Sequence, residues 1–241
     1  YRCSAAPEPG ATWLAAKVYR PRMIRNLRND QRYRQGRRVI GTDGKDIKDN
    51  DWREMRALGK KSSFGEQIAH TSWLMYEYQT LESMFEAGAD VPRPIAAAAN
   101  AILMGYVGDE AMAAPTLSEI RLERDEARPL FQRVLHNVAM LLQEGLVHGD
   151  LAACNVLYWD GRVSLIDFPQ VVDSVRNDEA YDILARDITR LCDYFNRYQL
   201  RADPRAITHQ LWRQFVDVPH AEDIAADLSR LSEREEPEGQ A

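Results

Sequence analysis

Between Leu146 and Gln170 the chain reads LVHGDLAACNVLYWDGRVSLIDFPQ. Apolar runs flank Asp150, Asn155 and Asp167, and carboxylates set among apolar strands need partners, because burying them unpaired is costly. NVLYWDG and RVSLIDF have the make-up of two short strands, and the Asp160-Gly161 dipeptide between them signals a hairpin. A tight hairpin brings Asn155, which opens the first strand, beside Asp167, which closes the second. Asp150 lies in the loop just before. Three oxygen-bearing side chains at one edge suit a hard cation, magnesium above all, together with waters and nucleotide phosphates. Zinc would call for thiolate or imidazole ligands, and this stretch offers only His148 and Cys154.

Phosphoryl transfer uses such a set. A metal neutralises phosphate charge, a carboxylate orients the attacking hydroxyl, and a lysine grips the remaining phosphates. Lys17, inside the apolar stretch TWLAAKVYR, is placed to be that lysine, and Glu77 on a later helix can pair with it. Taken singly, a strand lysine is usually a surface residue and an aspartate at a turn usually shapes the turn. The combined pattern is far more specific: HxDxxxxN, then an aspartate directly after an apolar strand.

The elements around these residues follow from periodicity. A strand is expected over Thr12 to Arg20 and another over Ala101 to Gly108. Helices are expected over Ser72 to Gly88, Ala127 to Gly145, Asp182 to Tyr198 and Ile207 to Val216. Pro92 and Pro94 forbid helix in between. No regular strand-helix-strand alternation appears, which argues against a doubly wound sheet, and there is no internal repeat. The 241 residues allow one large domain or two lobes.

Net charge is −6, so bulk charge does not make this a polyanion binder. Yet residues 18–61 hold 14 basic against 6 acidic groups, a local balance of +8. Such a run is most simply a solvated face, and its functional reading is a docking surface for nucleic acid or another acidic partner. Most of it, Arg22 to Lys61, reads as a long flexible insertion with one or two short helices. The acidic end, residues 233–241, reads as disordered. Three scattered cysteines, Cys3, Cys154 and Cys192, argue against a disulfide framework and fit a reducing cytoplasm. No apolar run approaches membrane-spanning length.

HGDLAACNVLY with LIDFPQ resembles the catalytic and metal-binding segments of the protein-kinase-like superfamily, and several other stretches resemble its RIO branch of atypical serine/threonine kinases. AAKVYR is similar to the RIO lysine strand, EYQTLESMFEAGADVPRPI to its helix and following link, ILMGYVG to its gatekeeper and hinge, and AAPTL to the turn after it. VSLIDFPQVVD resembles the RIO pattern of Ile-Asp followed closely by Gln, and LARDITRLCDYF its helix beginning Arg-Asp. The likeness covers about Leu14 to Phe195, and the nearest subgroup looks like bacterial or archaeal relatives of the first RIO type.

The resemblance implies an α+β, two-lobed protein-kinase-like fold. Residues 1–108 would form a small β-rich N-lobe carrying the basic insertion at about 21–61. Residues 109–232 would form a mainly helical C-lobe without an activation-segment subdomain. It implies ATP and Mg2+, with Mn2+ as an alternative ion. Lys17 would contact the α/β phosphates and Glu77 would pair with it. Met104 would be the gatekeeper, with Gly105, Tyr106 and Val107 along the adenine. Asp150 would be catalytic, and Asn155 and Asp167 would hold the metal. The family also associates the aspartate matching Asp167 with a phosphoaspartate, which suggests ATPase-like turnover. The family's glycine-containing phosphate loop is expected before Tyr1, and its acidic hinge residue is replaced by Gly105. The acceptor would be an unidentified protein, autophosphorylation included. RNA or the ribosome could dock on residues 20–61, and no membrane is involved. Two alternatives stand beside this reading. One is a small-molecule phosphotransferase of the aminoglycoside or choline type, disfavoured by the short stretch Glu110 to Arg128 after the hinge. The other is a pseudokinase that binds RNA or ribosomes.

Overall fold

In the computed structural model, the described residues are 1–4, 13–19, 51–60, 63–98 and 100–217, with short stretches between 33 and 47. Most of the expected insertion at 21–61, and all of the tail at 233–241, lie outside the described residues. Four strands form the first sheet: β1 (Arg2–Ser4), β2 (Trp13–Val18), β3 (Pro94–Ala98) and β4 (Ala101–Gly105). Their order is β1-β2-β4-β3 and every pairing is antiparallel. Lys17 lies opposite Ile102 and Ala15 opposite Met104. Because side chains alternate along a strand, Ala15, Lys17 and Met104 share one face of the sheet.

Helix α1 (Trp52–Gly59) packs on α2 (Ser63–Glu86), and α2 packs beside this sheet. The first is one of the short helices expected in the basic stretch. The second begins nine residues before the expected Ser72. Its buried residues, among them Thr71, Leu74, Glu77, Thr80 and Met84, surround much of its circumference, so no single apolar stripe marks its start.

The rest is mainly helical: α3 (Arg124–Gln143), α4 (Ala180–Phe195) and α5 (Pro204–Phe215). Helix α3 starts three residues earlier than expected. A capping box formed by Glu123 and Glu126 sets that start, and Pro129 sits one turn inside. A stripe of Ala127, Leu130, Phe131, Val134, Val138 and Leu141 seals α3 against the core. The expected hairpin is present as β6 (Val156–Trp159) and β7 (Arg162–Leu165), antiparallel around Asp160-Gly161. It is preceded by β5 (Leu146–Val147), which pairs with β8 (Val172–Asp173). Strands β1, β3, β5 and β8 carry no alternation long enough to read from sequence. Asn155 closes a single 3-10 turn just before β6 instead of opening the strand. Asp167 stands two residues beyond the end of β7. Only 12 residues separate Asp167 from α4, and no helix intervenes among the described residues.

Candidate active site

The site is assembled from the sheet, α2 and the 146–170 stretch. Lys17 projects from β2, and its ammonium lies 2.6 Å from Glu77 Oε1 and also contacts Asp167 Oδ1. Glu77, on α2, is only 3% exposed. Its second carboxylate oxygen accepts a hydrogen bond from the Tyr19 hydroxyl. A buried carboxylate is tolerable only when its oxygens are satisfied in this way.

The loop at 148–150 is fixed from several sides. His148 is buried and leans on the Phe168 ring, with centroids 4.9 Å apart. Its Nε2 is 3.3 Å from the Ile166 carbonyl oxygen and its Nδ1 is 3.4 Å from the Asp150 N–H. A neutral ring protonated at Nε2 satisfies both contacts, and burial pushes the His148 pKa down, favouring that neutral form. Gly149 has φ +82°, and a Cβ there would meet the Gln170 carbonyl oxygen at 2.1 Å, so a side chain is excluded twice over. Its N–H donates to Asp187 Oδ2 at 2.9 Å, and Arg186 donates to its carbonyl. Burial raises the Asp187 pKa, while His148 and Arg186 pull it the other way.

Asn155 and Asp167 are adjacent through the backbone, since the Ile166 N–H donates to the Asn155 carbonyl at 3.0 Å. The Asn155 side-chain NH2 donates to the Asp150 carbonyl at 2.8 Å. Asp167 holds φ +71°, a left-handed conformation that aspartate tolerates better than most residues.

A cavity of about 690 Å³ opens between sheet and loop. That is the size of an ordinary small-molecule pocket. Lys17, Glu77, Asn155 and Asp167 gather on its polar side, and Ala15, Leu81, Met104 and Leu157 supply apolar walls. Gly105, Tyr106 and Val107 form one edge, where the Tyr106 N–H donates to the Trp13 carbonyl and the Val107 carbonyl accepts from Ala114. Gly108, at φ +134°, lets residues 112–114 fold back: a Cβ there would sit 2.5 Å from the Met112 carbonyl oxygen.

Eight of the nine expected site residues therefore line one cavity. Asp150 does not line it. Its carboxylate turns aside to Arg190, whose Nη1 is 2.8 Å from Oδ1. Sequence reasoning missed Tyr19, Arg190 and the grip of Arg186 and Asp187 on the loop. Tyr19 had a signal, because it stands two residues after Lys17 within the strand expected over Thr12 to Arg20, where alternation puts both on one face. It also missed the ties to the segment after Asp167, where Trp73 Nε1 on α2 donates to the Pro169 carbonyl at 3.0 Å and Arg37 donates to Pro169 and Val171 at 2.8 Å. Among the described residues no group of three or more His, Cys, Asp or Glu could hold a metal, so a cation here would rely on Asn155 together with Asp167.

Residues 14–207 match the family model described as the RIO domain. The chain is 33% identical over 163 residues to the RIO-type serine/threonine-protein kinase Rio1 of Haloferax volcanii, covering 65% of this chain and 55% of that protein. It is 32% identical over 145 residues to Rio2 of Methanocaldococcus jannaschii, covering 57% and 53%. Against human serine/threonine-protein kinase RIO1 the figures are 30% over 130 residues, 54% and 23%. The chain thus spans about half the length of these archaeal relatives and about a quarter of the human one. Among solved structures, the Rio2 kinase-ADP/Mg2+-phosphoaspartate complex from Chaetomium thermophilum superposes with a TM-score of 0.52 at 17% identity, covering 93% of this chain and 66% of that one. That likeness establishes the protein-kinase-like fold.

Proposed function

Because the chain belongs to the RIO domain family, we propose that it carries out ATP- and magnesium-dependent phosphoryl transfer as an atypical serine/threonine kinase or ATPase. The observation that carries the reading is the ammonium of Lys17, which touches Glu77 and Asp167 on the polar side of a cavity whose walls are mostly apolar. In this reading the adenine lies against Met104, Tyr106 and Val107 in the apolar half, where backbone groups of 105–107 can bond it whatever the side chain at Gly105. Lys17, held by buried Glu77, meets the α/β phosphates.

Magnesium fits Asn155 and Asp167 by donor chemistry. The NH2 of Asn155 is committed to the Asp150 carbonyl, which leaves the amide oxygen for a cation. Asp167 already accepts a cation in the form of Lys17. When bound, the ion neutralises phosphate charge. Asp150 takes the proton of the attacking hydroxyl as that oxygen bonds to the γ-phosphorus and ADP leaves. The complex of the Chaetomium relative contains ADP, Mg2+ and a phosphoaspartate, which supports including ATPase-like turnover.

The same proposal divides the chain into an N-lobe at 1–108 and a C-lobe at 109–232 and places it in the cytoplasm. Among the described residues no helix is long and apolar enough to cross a membrane. The acceptor is a protein, this chain itself included. A second partner reading, RNA or ribosome docking through 20–61, is favoured by the +8 balance. RNA affinity that falls steeply with salt would support it.

The test is ATP turnover and autophosphorylation by the wild-type chain and by Asp150→Ala and Asp167→Ala. Loss of proton transfer or metal holding is expected to slow turnover by about 100-fold or more. Unchanged turnover in both variants would overturn the reading.

A further inference from the structure

Helix α4 presents Arg186, Asp187 and Arg190 to the loop at 149–150, the two arginines four residues apart and so on one helix face. Arg186 and Asp187 hold the backbone of Gly149 from both ends of its peptide units. The Asp150 N–H faces His148, and its carbonyl accepts from Asn155. The loop backbone is therefore immobilised at each polar group, and the freedom that remains is the side-chain torsion of Asp150.

We propose that Arg190 removes that freedom: it is a positioning residue that clamps Asp150 Oδ1 so that Oδ2 is aimed at the incoming hydroxyl. The inference rests on the phosphoryl-transfer reading and names a residue to which the resemblance gives no role. Three observations support it. First, Arg190 Nη1 lies 2.8 Å from Oδ1, a charge-assisted hydrogen bond of good length. Second, among the described residues Oδ2 has no hydrogen-bond partner, so one oxygen is held and the other is open. Third, Asp150 lies outside the cavity lining. Its open oxygen is thus not among the groups that line the nucleotide cavity, and the proposal gives it to the acceptor. The pair is 43% and 36% exposed. An ion pair so exposed adds little to stability, so its effect should appear in rate and not in folding.

The experiment uses the full chain with ATP and Mg2+, and compares Arg190→Gln, Arg190→Lys, Asp150→Asn and the Asp150→Asn/Arg190→Gln double variant. Turnover, KM for ATP, ADP affinity and melting temperature are measured for each. Loss of orientation at the base is expected to lower kcat of Arg190→Gln by roughly tenfold to a hundredfold. KM, ADP affinity and melting temperature should stay as in the wild type. Arg190→Lys, which keeps the charge but not the planar fork, should recover part of the rate. In the Asp150→Asn background Arg190→Gln should cost nothing further, because the group it positions is gone. The inference is overturned if kcat of Arg190→Gln matches the wild type. It is also overturned if the loss appears in KM or ADP affinity, or if it persists undiminished in the Asp150→Asn background. A wild-type chain that turns over no ATP would bring down the phosphoryl-transfer reading itself, an outcome visible before any variant is compared.

Discussion

Gly149 shows how much can hang on one missing methyl group. Its φ is +82°, and a Cβ would stand only 2.1 Å from the Gln170 carbonyl oxygen, so torsion and space both reject alanine. Gly149→Ala is therefore expected to destabilise the protein by about 1–3 kcal/mol through backbone strain alone, read from the midpoint of urea denaturation. It should also displace Asp150 and cut ATP turnover. The cysteines offer a gentler probe. Cys154 is exposed beside Asn155, whereas Cys192 is fully buried, and burial pushes its thiol up to about 11. A thiol reagent at neutral pH should label Cys154 promptly and Cys192 only on unfolding. Labelling of Cys192 in the native protein would contradict its packing. What was legible at this scale was local. Asn155 and Asp167 could be paired from sequence because a tight hairpin fixes register over a few residues. Arg190 could not be assigned to Asp150, since 40 residues separate them and no local pattern encodes a long-range contact.

Single elements tie the sheet to the helical region, and the link at Asp90 is the most explicit. Asn137 is fully buried on α3, within a stripe that is otherwise apolar. Its side chain accepts from the Asp90 N–H at 2.7 Å and donates to Asp90 Oδ2 at 2.7 Å and to the Arg133 carbonyl at 2.8 Å. Arg133 adds a two-pronged ion pair to Asp90, and the Asp90 carbonyl accepts from Leu165 on β7. Asn137→Ala leaves the part-buried Asp90 N–H without this acceptor and is expected to cost about 1–3 kcal/mol, measurable by chemical denaturation. Asp90 also gives a pH signature. Burial pushes its carboxyl up, yet hydrogen bonds from Arg133 and Asn137 and the charge of Arg133 outweigh burial and hold it below its ordinary value. The unfolded chain then binds a proton more readily than the folded one. Stability from this group is complete above the unfolded pKa of about 3.9 and is lost as pH falls through the lower folded value. Wild-type stability should drop across that acid range, and Asp90→Asn should drop less steeply. Nothing in the order of residues signals this tie: an asparagine in a helical stripe reads only as an interruption.

For the whole molecule, the fold class was legible because its recurring segments stand in order along the chain, whereas the spatial relation of sheet to loop emerges only from the cavity between them. Lys17 is the hinge of that relation, since its ammonium bridges Glu77 on α2 and Asp167 beyond β7. The two acidic partners are not equivalent. Glu77 is 3% exposed, while the Asp167 side chain is 34% exposed. Removing Lys17 leaves a buried carboxylate whose remaining donor among the described residues is the Tyr19 hydroxyl. Removing Asp167 leaves Lys17 still paired with Glu77. Lys17→Met is therefore expected to lower the melting temperature more than Asp167→Ala, although both should slow turnover by about 100-fold or more. Nucleotide separates the roles further. ADP at a hundred times its Kd stabilises a folded protein by about 2.7 kcal/mol, and at about 2–4 °C per kcal/mol for a chain of this size the wild type should melt several degrees higher. Magnesium should enlarge that shift in the wild type and leave it unchanged in Asp167→Ala. A magnesium-dependent shift that survives Asp167→Ala would move the metal, and with it the phosphates, to other residues.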